Sequence, residues 1–252
     1  MSFSLGLVGY GAFGAFLHRL ARRFLPEAQV RVHSGSREAD GRLFFPLEAV
    51  AACDAVILAV PISAYADTLE RLAPHLGADT VLVDVATVKV HTMRLVSAVR
   101  AGQPFLALHP MFGPESYAKR GGEVQGFRIV ATGHNLAPAL YRELCDRLAA
   151  AGFALVEKSA EAHDRDLAET LFLTHYVGQV IAQGGFERTD IDTVSFGYLM
   201  DAVDSVRHDA RLFEEVCRFN PYCRGVIDRF DASDRIVRDR LLRLRAPDRG
   251  AI

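Results

Sequence analysis

The sequence is poor in the residue types that build metal clusters and disulfide frameworks. It has only four cysteines in 252 residues, and they occur at Cys53, Cys145, Cys217 and Cys223. None of them has CxxC spacing or lies in a histidine-rich segment, which argues against a zinc-type site and a disulfide-stapled fold. We therefore predict no metal site, and reduced thiols favour a cytoplasmic protein.

An excess of one charge and long apolar runs are also absent. Lys and Arg total 29 against 31 Asp and Glu, a net charge of -2, so no basic surface for nucleic acid is predicted. No apolar run reaches the length of about 20 residues that crosses a bilayer, and no membrane partner is expected. Residues 1–8 lack the basic start and cleavage site of a signal peptide, and we interpret them as a strand.

Short apolar segments alternate with helical segments over the first 157 residues. The predicted strands cover 3–8, 29–33, 55–60, 80–85, 105–108, 127–132 and 153–156. The main predicted helices between them cover 15–24, 63–76, 92–101 and 137–151. This alternation predicts an α/β fold with a mainly parallel sheet.

After about residue 157 the strand signals fade and apolar residues recur at helical spacing. Predicted helices cover 160–184, 193–206, 210–219 and 221–244. The change of period predicts two domains, an N-terminal domain 1–157 that carries the sheet and an all-helical C-terminal domain 158–252.

A glycine motif follows the first predicted strand and opens the first helix. Gly9, Gly11 and Gly14 have GxGxxG spacing, which in this context is typical of a Rossmann-type dinucleotide site. Gly9 permits a tight turn, Gly11 lets the backbone approach a pyrophosphate, and Gly14 lets helix and strand pack closely. The alternative is a glycine-rich turn without a ligand. The candidate cofactor contacts here are Gly9, Tyr10, Gly11, Ala12, Phe13, Gly14, Val60 and Pro61.

The tip of the second strand carries hydroxyl groups and a guanidinium. An NAD site usually has an acidic residue here, about 20 residues after the glycines, to bind the ribose 2′-hydroxyl. This tip has Ser34, Ser36 and Arg37 instead. Because arginine forms bidentate, charge-assisted bonds with phosphates, the tip favours the 2′-phosphate of NADP. The alternative leaves Arg37 in solvent and lets NAD bind as well.

Residues 109–116 (HPMFGPES) follow the fifth strand at the sheet edge where ligands bind. With the glycine motif, they give the chain a close resemblance to the prephenate/arogenate dehydrogenase family. Further matching segments are 84–89 (DVATVK), 162–165 (AHDR), 173–175 (LTH) and 220–222 (NPY). The histidine segment and the serine/arginine tip are most similar to the NADP-dependent arogenate enzymes.

The resemblance implies oxidative decarboxylation of arogenate, or also of prephenate, with hydride transfer to NADP, in tyrosine biosynthesis. It implies that His109 takes the proton of the substrate 4-hydroxyl. It also implies that Thr87, where the family usually has serine, supplies a hydroxyl that holds His109 or the substrate hydroxyl. Residues 163–165 are interpreted as ordering a helix start and the domain hinge. A homodimer formed through the helical domain is also implied. The implied substrate contacts are Glu115, His175 and Arg207.

Several assignments have structural alternatives. In these alternatives, Thr87 caps a strand end, Glu115 forms a surface salt bridge, and His175 is a hydrogen-bonded core histidine. Lys89 either anchors a loop or binds a ligand. The segment 118–126 is either a mobile lid or a plain loop.

Two other functions stay open at this point. One is another two-domain NADP oxidoreductase, such as a β-hydroxyacid dehydrogenase or an imine reductase. The other is a non-catalytic module that senses NADP. Neither is expected to carry His109 within residues 109–116.

Overall fold

A computed structural model describes residues 3–244 of the chain. Seven strands form one sheet in the order β2-β1-β3-β4-β5-β6-β7. They are β1 (Ser4–Val8), β2 (Gln29–His33), β3 (Ala55–Leu58), β4 (Val81–Asp84), β5 (Phe105–Pro110), β6 (Arg128–His134) and β7 (Ala154–Glu157). Only β5 and β6 pair antiparallel. The predicted mainly parallel sheet is confirmed.

Helices connect most of the strands. They are α1 (Ala12–Phe24), α2 (Leu47–Ala51), α3 (Tyr65–Leu72), α4 (Lys89–Ser97), α5 (Pro114–Lys119) and α6 (Pro138–Ala150). Short 3₁₀ turns, Ile62–Ala64 and Ala73–His75, flank α3. The sequence did not predict α2 and α5, since helices of 5 and 6 residues are too short to show a helical period.

The chain divides into two compact units, Met1–Asp164 and Arg165–Ile252. The boundary that the sequence predicted, after residue 157, lies at the end of β7. The last helices are α7 (Ala160–Leu167), α8 (Leu173–Gln183), α9 (Val194–Val206), α10 (Ala210–Phe219) and α11 (Cys223–Leu242), with a π-helical turn, Ala168–Phe172, between α7 and α8. All regular structure in residues 165–244 is helical, as predicted. No helix within the described 3–244 has the length and apolar character needed to span a membrane.

The strand order brings the candidate loops to one edge of the sheet. β1 lies between β2 and β3, so the chain passes from β1 to β2 on one side of it and then crosses to β3 on the other side. The carboxyl end of β1 is therefore a topological switch point, where sheets of this kind bind ligands. β5 is parallel to β4, so its carboxyl end lies at the same edge. Three strand spacings, about 14 Å, separate β1 from β5.

An aromatic cluster fixes the chain where it leaves β5. Phe112 stacks on Phe127 and Phe153, with ring centroids 4.7 and 5.5 Å apart. Its ring also meets that of Phe16 on α1 edge-on at 6.0 Å. Apolar burial thus anchors the segment that follows His109, because a large aromatic side chain in a packed core holds its backbone in one place.

The segment 118–126 is mostly exposed, but contacts at Gly122 and Val124 attach it to the first unit. Arg23 on α1 donates to the hydroxyl of Tyr117, at 2.7 Å, and to the carbonyl oxygen of Gly122, at 2.6 Å. Val124 is buried in the aromatic cluster. These contacts favour the plain loop over the lid.

Candidate active site

The glycine loop between β1 and α1 contains two glycines that packing requires and one that it does not. Gly9 has φ +103°, and a Cβ there would clash with the carbonyl oxygen of Ala59. A Cβ on Gly14 would clash with the carbonyl oxygen of Gly9. A Cβ on Gly11 would have no neighbour within 4 Å in the described part of the chain. The fold explains Gly9 and Gly14, whereas it does not require a glycine at position 11, where a ligand against the backbone stays the prediction.

The start of α1 suits an anion. Gly11 is the N-cap residue of α1, and the first turn of this helix carries no acidic side chain. The free N–H groups and the positive end of the helix dipole therefore lie at the glycine loop. Val60 borders this loop, because its Cγ1 would lie 3.1 Å from a Cβ on Gly9. Pro61 follows and leads into the 3₁₀ turn Ile62–Ala64. The ring of Phe13 packs against the aromatic cluster, so a cofactor at this loop would meet the backbone of Phe13.

Arg37 lies on an aromatic platform at the tip of β2. Its Cζ is 5.5 Å from the ring centroid of Tyr10 and 5.2 Å from that of Phe44. The hydroxyls of Ser34 and Ser36 are 3.2 Å apart. A guanidinium held over two rings and two neighbouring hydroxyls are groups that can bind an anion.

The carboxylate of Asp40, later in the same loop, is used within the loop. It accepts the backbone N–H groups of residues 42–44, each at 2.9 Å. These hydrogen bonds lower the pKa of Asp40. All three donors bind Oδ1, so this oxygen is used to shape the loop.

Asp84 and Lys89 form a buried ion pair between β4 and α4. Nζ lies 2.9 Å from Oδ2, and both side chains are fully buried. Burial lowers the pKa of Lys89, although the charges of Asp84 and Asp164 oppose this effect. Nζ also donates to the carbonyl oxygen of Leu108 at 2.6 Å. Lys89 is thus an anchor for the end of β5, which decides between the two interpretations that the sequence left open.

Asp84 has a full set of hydrogen-bond donors. The hydroxyl of Tyr65 donates to Oδ1 at 2.7 Å, and that of Thr92 donates to Oδ2 at 2.6 Å. The backbone N–H of Ala86 donates to Oδ1 at 2.8 Å. Complete hydrogen bonding is what makes the burial of a charge tolerable.

His109 lies in β5 and is 6% exposed. Its Nδ1 is 2.9 Å from Nε2 of His163, and Nδ1 of His163 is 2.8 Å from Oδ1 of Asp164. Nε2 of His109 has no hydrogen-bond partner among residues 3–244. Burial, followed by the nearby His163 and Lys89, holds the pKa of His109 well below its usual value. This lowered pKa favours the neutral imidazole of His109.

Asp164 also binds the N-terminus of α4. Its Oδ1 accepts the N–H of Lys89 and its Oδ2 accepts that of Val90, both at 2.8 Å. The sequence interpretation of residues 163–165 as a helix start and hinge missed the contact between His163 and His109. The available sign was the adjacent His–Asp pair in a first helical turn, where a carboxylate readily orients an imidazole.

Thr87 and Glu115 follow the carboxyl ends of β4 and β5. Thr87 is half-buried in the turn before α4. In the part of the chain that the structure describes, its hydroxyl makes no hydrogen bond to His109, which is held by His163. Glu115 is exposed in the first turn of α5. It forms no ion pair with any other residue described, so the alternative of a surface salt bridge does not hold there.

Two predicted substrate contacts lie in the second unit. His175 on α8 stacks on Phe213 at 6.4 Å, and its buried Nδ1 has no hydrogen-bond partner in the described chain. Burial lowers its pKa against the opposing charge of Asp209. The predicted alternative of a hydrogen-bonded core histidine does not hold for this nitrogen. Arg207, after α9, pairs with Asp204 at 2.9 Å, so its guanidinium already has a carboxylate partner.

Known proteins resemble the chain along nearly its whole length. A family model described as "Prephenate dehydrogenase, nucleotide-binding domain" matches residues 40–129. Arogenate dehydrogenase 2, chloroplastic, of Arabidopsis thaliana is 28% identical over 94% of this chain and 69% of its own. Cyclohexadienyl dehydrogenase of Zymomonas mobilis is 26% identical over 90% of this chain and 85% of its own.

A solved structure shares the fold. The crystal structure of prephenate dehydrogenase from A. aeolicus, in complex with hydroxyphenyl propionate and NAD+, aligns with a TM-score of 0.72. The alignment covers 96% of this chain and 92% of the other, at 16% identity. Together these comparisons support a dehydrogenase that uses a nicotinamide cofactor.

The open space at Gly11 predicts that Gly11→Val separates cofactor binding from folding. We expect the variant to melt within about 2 °C of the unchanged chain. Its affinity for NADP or NAD, measured by calorimetric titration, should fall at least about tenfold, or about 1.4 kcal/mol. Gly225→Ala, which also enters open space, is the control and should bind normally. Unchanged affinity in Gly11→Val would contradict a ligand at this backbone.

Proposed function

We propose that this chain is a member of the prephenate/arogenate dehydrogenase family and that it oxidatively decarboxylates arogenate with NADP to give tyrosine. Prephenate, which would give 4-hydroxyphenylpyruvate, is the proposed second substrate. The observation that carries the proposal is the unbonded Nε2 of His109 at the sheet edge that also bears the glycine loop. The arogenate dehydrogenase of Arabidopsis thaliana, similar over 94% of the chain, supports the choice of arogenate.

In the proposed reaction the substrate 4-hydroxyl loses a proton, C4 gives up a hydride, and the ring carboxylate leaves as CO₂. The bound NADP supplies the hydride acceptor. His109 takes the hydroxyl proton at Nε2, since its Nδ1 is occupied by His163. Its lowered pKa keeps the imidazole unprotonated near pH 7, in the form that accepts a proton. The fixed position of β5 orients this base toward one atom of the substrate.

Other side chains are proposed to bind the substrate. The hydroxyl of Thr87 is available to the 4-hydroxyl, and the exposed carboxylate of Glu115 to the ammonium of arogenate. In the second unit, the unpartnered Nδ1 of His175 is a proposed contact. Arg207 stays a proposed contact for the ring carboxylate, in competition with Asp204.

NADP is the proposed cofactor on the strength of the β2 tip. A 2′-phosphate there would meet the guanidinium of Arg37 and the hydroxyls of Ser34 and Ser36. The platform of Tyr10 and Phe44 supports this role, because it restricts the guanidinium before a ligand binds. NAD lacks the phosphate that these groups would bind, so we expect it to be the weaker cofactor.

The first unit is proposed to bind NADP, and the second to bind substrate and a second copy of the chain. Large apolar side chains are exposed on or before the helices of the second unit. They include Ile191, Val194, Tyr198, Ile236, Leu241 and Leu242. Burying them against a partner would remove apolar surface from water. The cytoplasmic location stays a prediction from the sequence.

The proposed reaction predicts a defined pattern of activity. With arogenate and prephenate, each tested with NADP and NAD, we expect the highest kcat/KM for arogenate with NADP. His109→Asn should lower kcat at least about 10²-fold, because the base is lost, while NADP affinity is unchanged. His75→Asn, at an exposed histidine, should be fully active. No turnover of either substrate would refute the function, and full turnover in His109→Asn would refute the role of this base.

The β2 tip predicts the effect of Arg37→Ala on cofactor choice. Loss of a charge-assisted hydrogen bond costs about 1.5–3 kcal/mol, so KM for NADP should rise about 10- to 100-fold. KM for NAD should stay within about threefold, because NAD has no 2′-phosphate. Arg42→Ala removes an exposed arginine of the same loop and should change neither value. An equal rise for both cofactors would show that Arg37 does not read the phosphate.

The proposed dimer predicts a mass of twice the 27.7 kDa of one chain in gel filtration with light scattering. The double variant Val194→Asp, Tyr198→Asp should be monomeric, since it places two charges on the proposed interface. Leu140→Asp, on an exposed residue of α6 in the first unit, should remain a dimer. A monomeric unchanged chain would refute the proposal.

A further inference from the structure

His109 is the last member of a buried row of three polar side chains. Asp164 contacts His163, and His163 contacts His109, at 2.8 and 2.9 Å. The three residues are 0, 3 and 6% exposed. Buried polar atoms need a hydrogen-bond partner, so each hydrogen bond in the row must join one donor to one acceptor.

The row has a fixed starting point at Asp164. The N–H groups of Lys89 and Val90 donate to its two oxygens, one to each. These donors hold the carboxyl group rigidly at the start of α4. A carboxylate so placed offers only acceptor lone pairs, and Nδ1 of His163 must therefore carry the proton of their hydrogen bond.

The direction of the remaining protons then depends on the charge of His163, and we take this histidine in its neutral form. A neutral His163 with a proton on Nδ1 has a lone pair on Nε2. Nε2 then accepts a hydrogen bond from the N–H at Nδ1 of His109. A neutral His109 with a proton on Nδ1 has its own lone pair on Nε2, the nitrogen without a partner in residues 3–244.

We propose that His163 and Asp164 are positioning residues that fix the tautomer of His109, so that its Nε2 lone pair faces the reacting hydroxyl. The opposite tautomer would present an N–H at that point and would be unable to accept a proton. This inference rests on the proposed function only for its catalytic consequence. The tautomer itself is a property of the protein without substrate.

The tautomer is measurable on the full chain labelled with ¹⁵N, by two-bond ¹⁵N–¹H correlation spectra of the histidine rings. The His109 signals are assigned by their loss in His109→Asn. We expect the unchanged chain to show His109 protonated on Nδ1. In His163→Leu, which removes the acceptor, the proton should move to Nε2 or exchange between the two nitrogens. His75→Leu, at an exposed histidine, should leave the spectrum of His109 unchanged.

Turnover provides the second readout. In His163→Leu we expect kcat to fall about 10- to 100-fold, with KM for the substrate within about threefold. His163→Gln places an amide oxygen near the position of Nε2 and should recover at least about tenfold of the loss. A merely structural role for His163 would lower the melting temperature of both variants and would not distinguish Gln from Leu in kcat.

Two results would overturn the proposal. One is a His109 that carries its proton on Nε2 in the unchanged chain. The other is equal kcat in the Leu and Gln variants. If neither arogenate nor prephenate is turned over, the proposed function fails, whereas the spectra still decide the tautomer. If His163→Leu does not fold, the spectra of the unchanged chain and of His163→Gln decide it.

Discussion

The charge of Lys89 meets that of Asp84 in a part of the protein that water does not reach, and the surroundings of His109 depend on this pair. Removing two ions from water costs several kcal/mol for each, and their attraction offsets this only with good geometry and further hydrogen bonds. Here the carboxylate receives two hydroxyls and a backbone N–H, and the ammonium reaches the carbonyl of Leu108. One pair therefore connects β4, α3, α4 and the strand that carries His109.

The same turn serves a second purpose through Asp164. A carboxylate from α7 binds the first N–H groups of α4 and also orients His163. Helix capping, usually a matter of stability, is here combined with the placement of a candidate base. Since removal of one member of a buried pair leaves the other uncompensated, changes in this turn are expected to affect folding and the candidate site together.

The parts of the fold that depend on local pattern were predicted from the sequence. Strands and long helices have their own periods, and Gly9, Gly11 and Gly14 have a spacing whose steric reasons are local. Short helices such as α5 were missed, as was the irregular register between β5 and β6 next to Ala107 and Leu108. A register shift of this kind depends on how two distant segments pair, which no local period records.

For the candidate site, residue type and loop position were predictable, but partners were not. His109 and His163 are 54 positions apart, and the adjacent His163–Asp164 pair, the one local sign, does not indicate which residue His163 contacts. Arg37 was chosen for its charge, whereas its position over Tyr10 and Phe44 follows from packing. The buried Asp84–Lys89 pair was equally invisible, because a charged residue is expected at the surface unless its partner is known.

The π-helical turn Ala168–Phe172 has a consequence for insertions and deletions in this helix. Its i→i+5 hydrogen bonds form a wider turn that holds one residue more than an α-helical turn. Loss of one residue from the turn would restore α winding and leave His175 on the same side of the axis relative to Leu167. Straightening the turn with all residues kept would instead rotate His175 by about 100°, away from Phe213. Homologous helices of unequal length can thus keep this histidine in register, and alignments across the turn should allow a one-residue gap there.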